Sequence, residues 1–249
     1  MQINQNQILK ISKVACAAGD KILKIYSKKF QIFKKKDMSP VTLADLESEK
    51  IIISGLNKIF KKPVIFSEET NSKKIGNPDN FWLVDPLDGT KEFIKKNGEF
   101  TINIAFIQKK RPTVGIIHAP VLKKTYVAIN KNTYKIINKK KFKKIILKKI
   151  SRKIMIISRS HSSKKENLEL IKKYKIKKVL CLGSALKFCY VAEGKAHIYP
   201  RSGTTYEWDV AAGHAIINGV GGVVETSKGI ELKYGKKNFK NTGFIAKVF

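Results

Sequence analysis

The nine residues Trp82-Leu83-Val84-Asp85-Pro86-Leu87-Asp88-Gly89-Thr90 constrain the fold more than any other stretch of the chain. The apolar run Phe81 to Val84 reads as a short buried strand. Asp85 ends it, and Pro86, with no N–H to give a sheet ladder, is expected to stop the strand there. Asp88-Gly89 then reads as a turn, and Thr90 to Ile94 as the first turns of a helix. Two carboxylates so placed point into one small space, where they repel unless protonated or bridged by cations. Carboxylate oxygens suit Mg2+. The N–H groups of Gly89 and Thr90, at a helix N-terminus, suit a phosphate. Metal and phosphate are expected to meet at the end of this strand.

Around that stretch the pattern is mixed. Ile8, Ile11, Ala15, Ala18, Ile22 and Ile25 recur at three- and four-residue steps, which predicts an amphipathic helix. Phe30 to Lys35 reads as a strand broken by the residues up to Pro40. A second helix is expected from Thr42 to about Phe60, with Leu43, Leu46, Ile53 and Leu56 on its buried face and capping-box spacing from Thr42 to Asp45. Pro63 to Phe66 reads as a strand running into Ser67-Glu68-Glu69, and Thr70 to Asn80 as a polar surface loop. In the next segment Phe100, Ile102, Ile104 and Phe106 alternate with Thr101, Asn103 and Ala105, the pattern of a strand with one buried face. Strands over 113–118, 124–130, 134–138 and 143–147 follow at hairpin spacing. Near residue 150 the pattern changes to alternating strands and helices: 153–158, 164–174, 177–181, 184–193, 196–199, 209–218 and 222–225. The chain thus divides into residues 1–150, helices plus a meandering sheet, and residues 151–249, an α/β half.

Charge narrows the function classes. Lys and Arg total 51 against 19 acidic residues, a net charge of +32 that suggests an acidic partner. Only Arg111, Arg152, Arg159 and Arg201 are arginines, although Arg is the usual reader of bases and phosphates. The lysines are spread along the whole chain, and stacking aromatics are scarce around the basic runs 139–149 and 172–178. These runs read as solvated faces, so no specific nucleic-acid partner is expected. Weak attraction to anionic membrane surfaces remains a side effect of the charge. Cys16, Cys181 and Cys189 make no Cys-x-x-Cys pair, which argues against a disulfide framework and for a reducing compartment. With no signal-peptide pattern and no membrane-length apolar run, the expected location is the cytoplasm.

Four further groups sit at strand ends or helix starts: Asp45, Glu68, Lys187 and Asp209. Read singly, a carboxylate there is a helix cap worth up to about 1 kcal/mol. The pair Asp85 and Asp88 is harder to explain that way, because a cap needs only one carboxylate.

The ordered set Ser67-Glu68-Glu69, Asp85-Pro86-Leu87-Asp88-Gly89-Thr90 and Trp208-Asp209 resembles the signature of the inositol monophosphatase superfamily of Mg2+-dependent, lithium-sensitive phosphatases. Residues 91–100, Ile157 to His161, Gly183 to Cys189 and Tyr199-Pro200-Arg201 resemble its bacterial bisphosphate-nucleotidase branch more closely. The resemblance runs from about Ser39 to the C-terminus. It implies an α+β fold, a layered α/β/α/β/α sandwich. It also implies that Glu68, Asp85, the Leu87 carbonyl, Asp88 and Asp209 hold two or more Mg2+ ions, with Asp85 bridging them. Asp45 and Thr90 match positions that orient and deprotonate the attacking water. Ser158, His161, Gly183 and Lys187 match positions that hold the nucleotide and its 5′-phosphate, and Arg201 is expected to contact phosphate. The substrate-binding set so implied also takes in Glu68, Leu87, Asp88, Gly89, Thr90 and Asp209. The implied reaction is hydrolysis of adenosine 3′,5′-bisphosphate to AMP and phosphate, with the sulfated nucleotide as a second substrate, in clearance of the by-product of sulfate activation. An inositol- or sugar-phosphate phosphatase is the nearest alternative, and a basic polyanion-binding protein the alternative outside enzymes.

Overall fold

The computed structural model describes residues 2–34, 40–70, 78–137, 140–147, 153–159 and 163–249. The chain begins with α1 (Gln5–Tyr26), the short strands β1 (Ile32–Lys34) and β2 (Pro40–Thr42), and α2 (Leu43–Ile59). A seven-stranded sheet follows, in which β3 (Ile65–Ser67) lies parallel to β4 (Asn80–Asp88). It continues antiparallel through β5 (Thr101–Gln108), β6 (Arg111–Ala119), β7 (Lys124–Ile129), β8 (Asn132–Ile137) and β9 (Lys141–Lys144), with the short helix α3 (Thr90–Ile94) between β4 and β5.

The rest builds a five-stranded sheet from β10 (Ile154–Ser158), β11 (Lys178–Leu182), β12 (Ile198–Arg201), β14 (Val223–Glu225) and β16 (Phe244–Lys247). Its helices are α4 (Lys164–Tyr174), α5 (Leu186–Ala192) and α6 (Glu207–Asn218), and β13 (Thr205–Tyr206) pairs with β15 (Lys240–Asn241). No helix among the described residues is long and apolar enough to cross a membrane.

Strand alternation produces the layers. On β4, Trp82 and Val84 face α1 and α2, while Phe81 and Leu83 face the opposite side, where α5 and α6 lie. β5 repeats this, with Ile102, Ile104 and Phe106 on one side and Ala105 and Ile107 on the other. The second sheet closes over α5 and α6 through Ile156, Tyr199, Val224, Phe244 and Ala246, and turns Met155 and Ile198 outward onto α4. The result is the α/β/α/β/α sandwich of the α+β class that the resemblance implies. Helix α6 passes close enough to β6 that a Cβ on Gly115 would sit 2.4 Å from the Ala212 carbonyl oxygen, so only glycine fits there.

Several sequence expectations change. β5 is buried on both faces, because helices cover the sheet on both sides. On α2, Leu43 and Leu46 are 48% and 39% exposed; the inward face instead carries Asp45, Ser48, Glu49, Ile52 and Leu56. Apolar spacing mispredicted this helix because its buried side serves polar groups. Pro40 opens β2 instead of breaking a strand, and residues 35–39 lie outside the described residues. Residues 226–249, for which the sequence pattern predicted nothing, supply β15 and β16. Of the expected loop from Thr70 to Asn80, residues 71–77 lie outside the described residues.

One ion cluster ties the end of α5 to the seven-stranded sheet. Glu193, which caps α5, accepts a hydrogen bond from the Tyr126 hydroxyl of β7 at 2.7 Å and ion pairs from Lys135 of β8 and Lys195. Burial alone would raise its pKa, but the hydrogen bonds from Lys135, Lys195 and Tyr126 outweigh it and bring the carboxyl from 4.5 down to about 2. A depressed carboxyl contributes stability above its unfolded pKa and loses it as the pH falls through the folded value. Glu193→Gln is therefore expected to cost on the order of 2 kcal/mol at neutral pH. Urea unfolding of both proteins from pH 7 to pH 2.5 checks this: the wild-type advantage should shrink below about pH 4.5. A difference independent of pH would refute it.

Candidate active site

The site is built on an irregularity in β4. Asp85 pairs with Asn103 and Asp88 with Thr101, so the register shifts by one residue between them. In a regular strand residues i and i+3 face opposite sides. The bulge adds a residue and turns Asp88 toward the cavity that Asp85 lines. Pro86 does not stop the strand as expected; it sits inside the bulge, where the missing N–H costs no ladder bond. The Ser48 hydroxyl of α2 donates to the Pro86 carbonyl at 2.7 Å, and the Leu87 N–H donates to Asp85 Oδ1 at 3.0 Å, fixing the bulge. Gly89 follows at φ +94°, a left-handed conformation that suits glycine, and its carbonyl accepts the first helical bond of α3 from Phe93.

Glu68 follows β3, and its N–H donates to the Val84 carbonyl of β4 at 3.1 Å. Asp209 arrives from the first turn of α6, where its Oδ2 accepts the Tyr206 N–H at 2.8 Å. One oxygen each from Glu68, Asp85 and Asp209 lies within 4.8 Å of the others. Burial pushes the Asp209 carboxyl well above its usual range, and the negative charges of Glu68 and Asp88 push it the same way. The Asp88 carboxyl is also raised, chiefly by burial; the Lys187 charge and bonds from Asn103 and Ala185 oppose this. Among the described residues, three hydrogen bonds reach Asp88 on Oδ2, from the Ala185 N–H at 2.5 Å, Asn103 at 3.2 Å and Thr101 at 3.5 Å. Crowded carboxylates with an all-oxygen donor set fit a hard divalent cation, which would relieve their repulsion.

Behind them Asp45 is a cap and something more. Its Oδ2 accepts the Thr42 N–H at 2.8 Å and hydroxyl at 2.7 Å, closing the capping box expected from the sequence. Its Oδ1 faces the Thr90 hydroxyl at 3.2 Å, and that hydroxyl also lies 3.3 Å from the Leu87 carbonyl oxygen.

Opposite the carboxylates is a basic wall. Lys187 is 3% exposed, and its ammonium donates to the carbonyls of Ser184 at 2.5 Å and Leu182 at 3.3 Å. Burial brings its pKa down to about 8, against the opposing pull of Asp88. In the structure Ala185 takes the N-cap of α5 and the lysine is enclosed. The Gly183 N–H, expected to face phosphate, donates to Glu99 Oε2 at 2.7 Å. Arg159 grips the same carboxylate through two bonds of 3.0 and 2.6 Å.

A cavity of about 340 Å3 brings together Glu68, Asp85, Leu87, Asp88, Gly89, Thr90, Ser158, Gly183, Lys187, Arg201 and Asp209. Asp45 stands behind Thr90, outside the lining. His161 lies outside the described residues. Sequence reasoning missed Glu99, Arg159 and the supports of Asp88. The signal for the last was present: polar Thr101 and Asn103 in an apolar strand, read as a solvated face, are 0% and 1% exposed.

The inositol monophosphatase family model matches residues 4–246. The chain belongs to the inositol monophosphatase family. Within this family it is 45% identical over 246 residues to the 3′(2′),5′-bisphosphate nucleotidase CysQ of Buchnera aphidicola, covering 95% of this chain and 92% of that one. It is 38% identical to the protein of the same name from Escherichia coli K12, over 96% of this chain and 98% of that one. The crystal structure of CysQ from Bacteroides thetaiotaomicron superposes with a TM-score of 0.83 at 36% identity, covering 98% of this chain and 97% of the other. The inositol monophosphatase of Thermotoga maritima shares the fold at 24% identity, with a TM-score of 0.76 over 94% and 89% of the two chains.

Carboxylate repulsion in this family site makes a crossover testable. A cation that binds the folded state at a hundredfold over its Kd adds about 2.7 kcal/mol, or roughly 5–10 °C in Tm. Asp209→Asn removes one repelling charge and is expected to melt higher than wild type in EDTA, yet to gain little from Mg2+. Thermal melts with and without Mg2+ decide: equal Mg2+ increments in both proteins would exclude Asp209 as a ligand.

Proposed function

We propose that this protein is a Mg2+-dependent phosphatase that removes the 3′-phosphate of adenosine 3′,5′-bisphosphate, giving AMP and phosphate, and acts likewise on the sulfated nucleotide. One observation carries the reading: a carboxylate cluster and the cations Lys187 and Arg201 line the same cavity. The names of the CysQ relatives support the choice of nucleotide. The division of labour follows the chain, with Glu68, Asp85, Leu87 and Asp88 from residues 1–150 as metal ligands and Ser158, His161, Gly183, Lys187 and Arg201 from residues 151–249 holding the nucleotide. Asp209 completes the metal set. Bound there, two or more Mg2+ ions supply charge neutralisation at the transferring phosphoryl group and a lowered pKa for water.

The chain's own groups do the rest. The Thr90 hydroxyl takes the proton of the attacking water and passes its own to Asp45 Oδ1, the acceptor 3.2 Å away. Asp45 Oδ2 is held by Thr42, so Oδ1 keeps its aim. The water oxygen bonds to phosphorus as the bond to the ribose 3′ oxygen breaks, and that oxygen is protonated from solvent; no covalent nucleophile is needed. Lys187 and Arg201 offer charge-assisted bonds to the second phosphate. The same reading includes inhibition by lithium, a cytoplasmic location and a weak, salt-sensitive attraction of the lysine-rich surface to anionic membranes.

Phosphate release from adenosine 3′,5′-bisphosphate, measured with Mg2+ and with EDTA for wild type and Asp88→Asn, tests the reading. Activity should vanish on chelation and fall at least about a hundredfold in the variant. Preference for inositol 1-phosphate would overturn the substrate, and no release from any phosphate ester would overturn the enzyme. Thr90→Val separates the roles further: it should lower kcat by about 10²–10⁴ with little change in KM, whereas Lys187→Met should act mainly on KM.

A further inference from the structure

Glu99 stands in the loop between α3 and β5, where its N–H donates to the Asn97 side chain at 2.9 Å. Its carboxylate crosses to the five-stranded sheet. Oε2 accepts the Gly183 N–H at 2.7 Å and the Arg159 Nε–H at 3.0 Å, and Oε1 accepts from Arg159 Nη2 at 2.6 Å. Arg159 Nη2 also donates to the Cys181 carbonyl at 3.4 Å. One guanidinium and one carboxylate thus clamp the chain on either side of Leu182. The backbones interlock at the same place: a Cβ on Gly183 would come within 2.9 Å of the Glu99 carbonyl oxygen, and one on Gly89 would lie 3.0 Å from it. Ser184 follows at φ +50°, a left-handed conformation that a serine keeps only where its surroundings hold it.

The clamped turn carries Lys187 into the cavity, with its ammonium donating to the Leu182 and Ser184 carbonyls. Neither Glu99 nor Arg159 lines the cavity, so both act through the turn. Their side chains are 18% and 42% exposed, and an ion pair so open to water adds little to stability. Its consequence is placement. A bare carboxylate beside the cavity would repel an anionic substrate, and the two-bond fork of Arg159 neutralises it. With Lys187 holding the second phosphate, the reading proposed above, we infer that Glu99 and Arg159 are positioning residues that give the site its preference for a bisphosphorylated nucleotide over a monophosphate ester. The clamp fixes the two carbonyls, the carbonyls aim the ammonium, and the ammonium meets a phosphate that only the bisphosphate has. The carboxylate side does not depend on the clamp to the same degree, because Asp88 keeps its bonds from Asn103 and Thr101 of the seven-stranded sheet.

Steady-state kinetics of the full-length protein with Mg2+ test this on adenosine 3′,5′-bisphosphate and on adenosine 3′-monophosphate, which lacks the second phosphate. Glu99→Ala should raise KM for the bisphosphate by about tenfold or more at nearly unchanged kcat, and leave kcat/KM for the monophosphate within about twofold. Glu99→Gln keeps an acceptor for the Gly183 N–H and should retain most of the preference. Arg159→Gln should act in the same direction as Glu99→Ala and more weakly, because Gly183 keeps its partner; its exposed side chain can be removed without unfolding the protein, which melting temperatures verify. In a Lys187→Met background Glu99→Ala should add nothing further, since residues that act through one another are not additive. Equal losses on both substrates, or a preference that survives both Glu99→Ala and Arg159→Gln, would overturn the positioning role and leave the substrate reading standing. A wild type without preference for the bisphosphate would overturn both.

Discussion

Mutual repulsion among Glu68, Asp85, Asp88 and Asp209 is the constraint on which the rest of the structure depends. Left to itself, a chain would spread such charges into water, because each desolvated carboxylate costs several kcal/mol. They are held together by elements that have separate reasons to be where they are. β4 is locked between β3 and β5 and buried on both faces. Asp209 rides on α6, whose remaining residues are almost all buried between the sheets. Lys187 and Arg201 supply part of the opposing charge, and a bound divalent cation would supply the rest. The two apolar layers on either side of the seven-stranded sheet therefore stabilise a site that destabilises itself.

Local chemistry in this fold was legible and long-range placement was not. The periodicity of α1 appears directly as its buried Ile8, Ile11, Ala15, Ala18 and Ile22, because a helix on a sheet needs only one apolar stripe. Asp85 and Asp88 were paired from their place at a strand end, but it is the bulge, which no spacing announces, that turns Asp88 to the side of Asp85. The convergence of Glu68 and Asp209, far apart in the chain, came from family resemblance, since no periodicity encodes contacts across two sheets. The inward face of α2 was misread for a physical reason: Asp45, Ser48 and Glu49 are buried to hold polar groups, so hydrophobic spacing points to the wrong side. Thr101 and Asn103 misled in the same way.

The lysine-rich composition makes the acidic residues more informative. With 19 acidic residues against 51 Lys and Arg, basic residues dominate the charged positions. Acids that are enclosed are therefore tied to specific partners: Glu193 to Lys135, Lys195 and Tyr126, Glu207 to the N–H groups of Gly235 and Lys236, and Glu99 to Arg159 and Gly183. The net charge says little about a polyanion partner, because it is spread over the surface, while the function is concentrated where the rare charge collects.

Glu99 shows how the two sheets become one site. It leaves the loop before β5, and its carboxylate takes Arg159 after β10 and the Gly183 N–H before α5. The next amide but one, that of Ala185, donates to Asp88. The turn of backbone between β11 and α5 is thus tied to two acids, Asp88 at the end of β4 and Glu99 in the loop before β5, and Lys187 follows in the first turn of α5. The basic wall and the carboxylate wall are consequently spaced by hydrogen bonds and not by packing alone. Such bonds are directional and sensitive to tenths of an ångström. The width of the cleft is set by the same acids that line it or brace its rim, so the separation between the carboxylates and Lys187 is fixed by the fold itself.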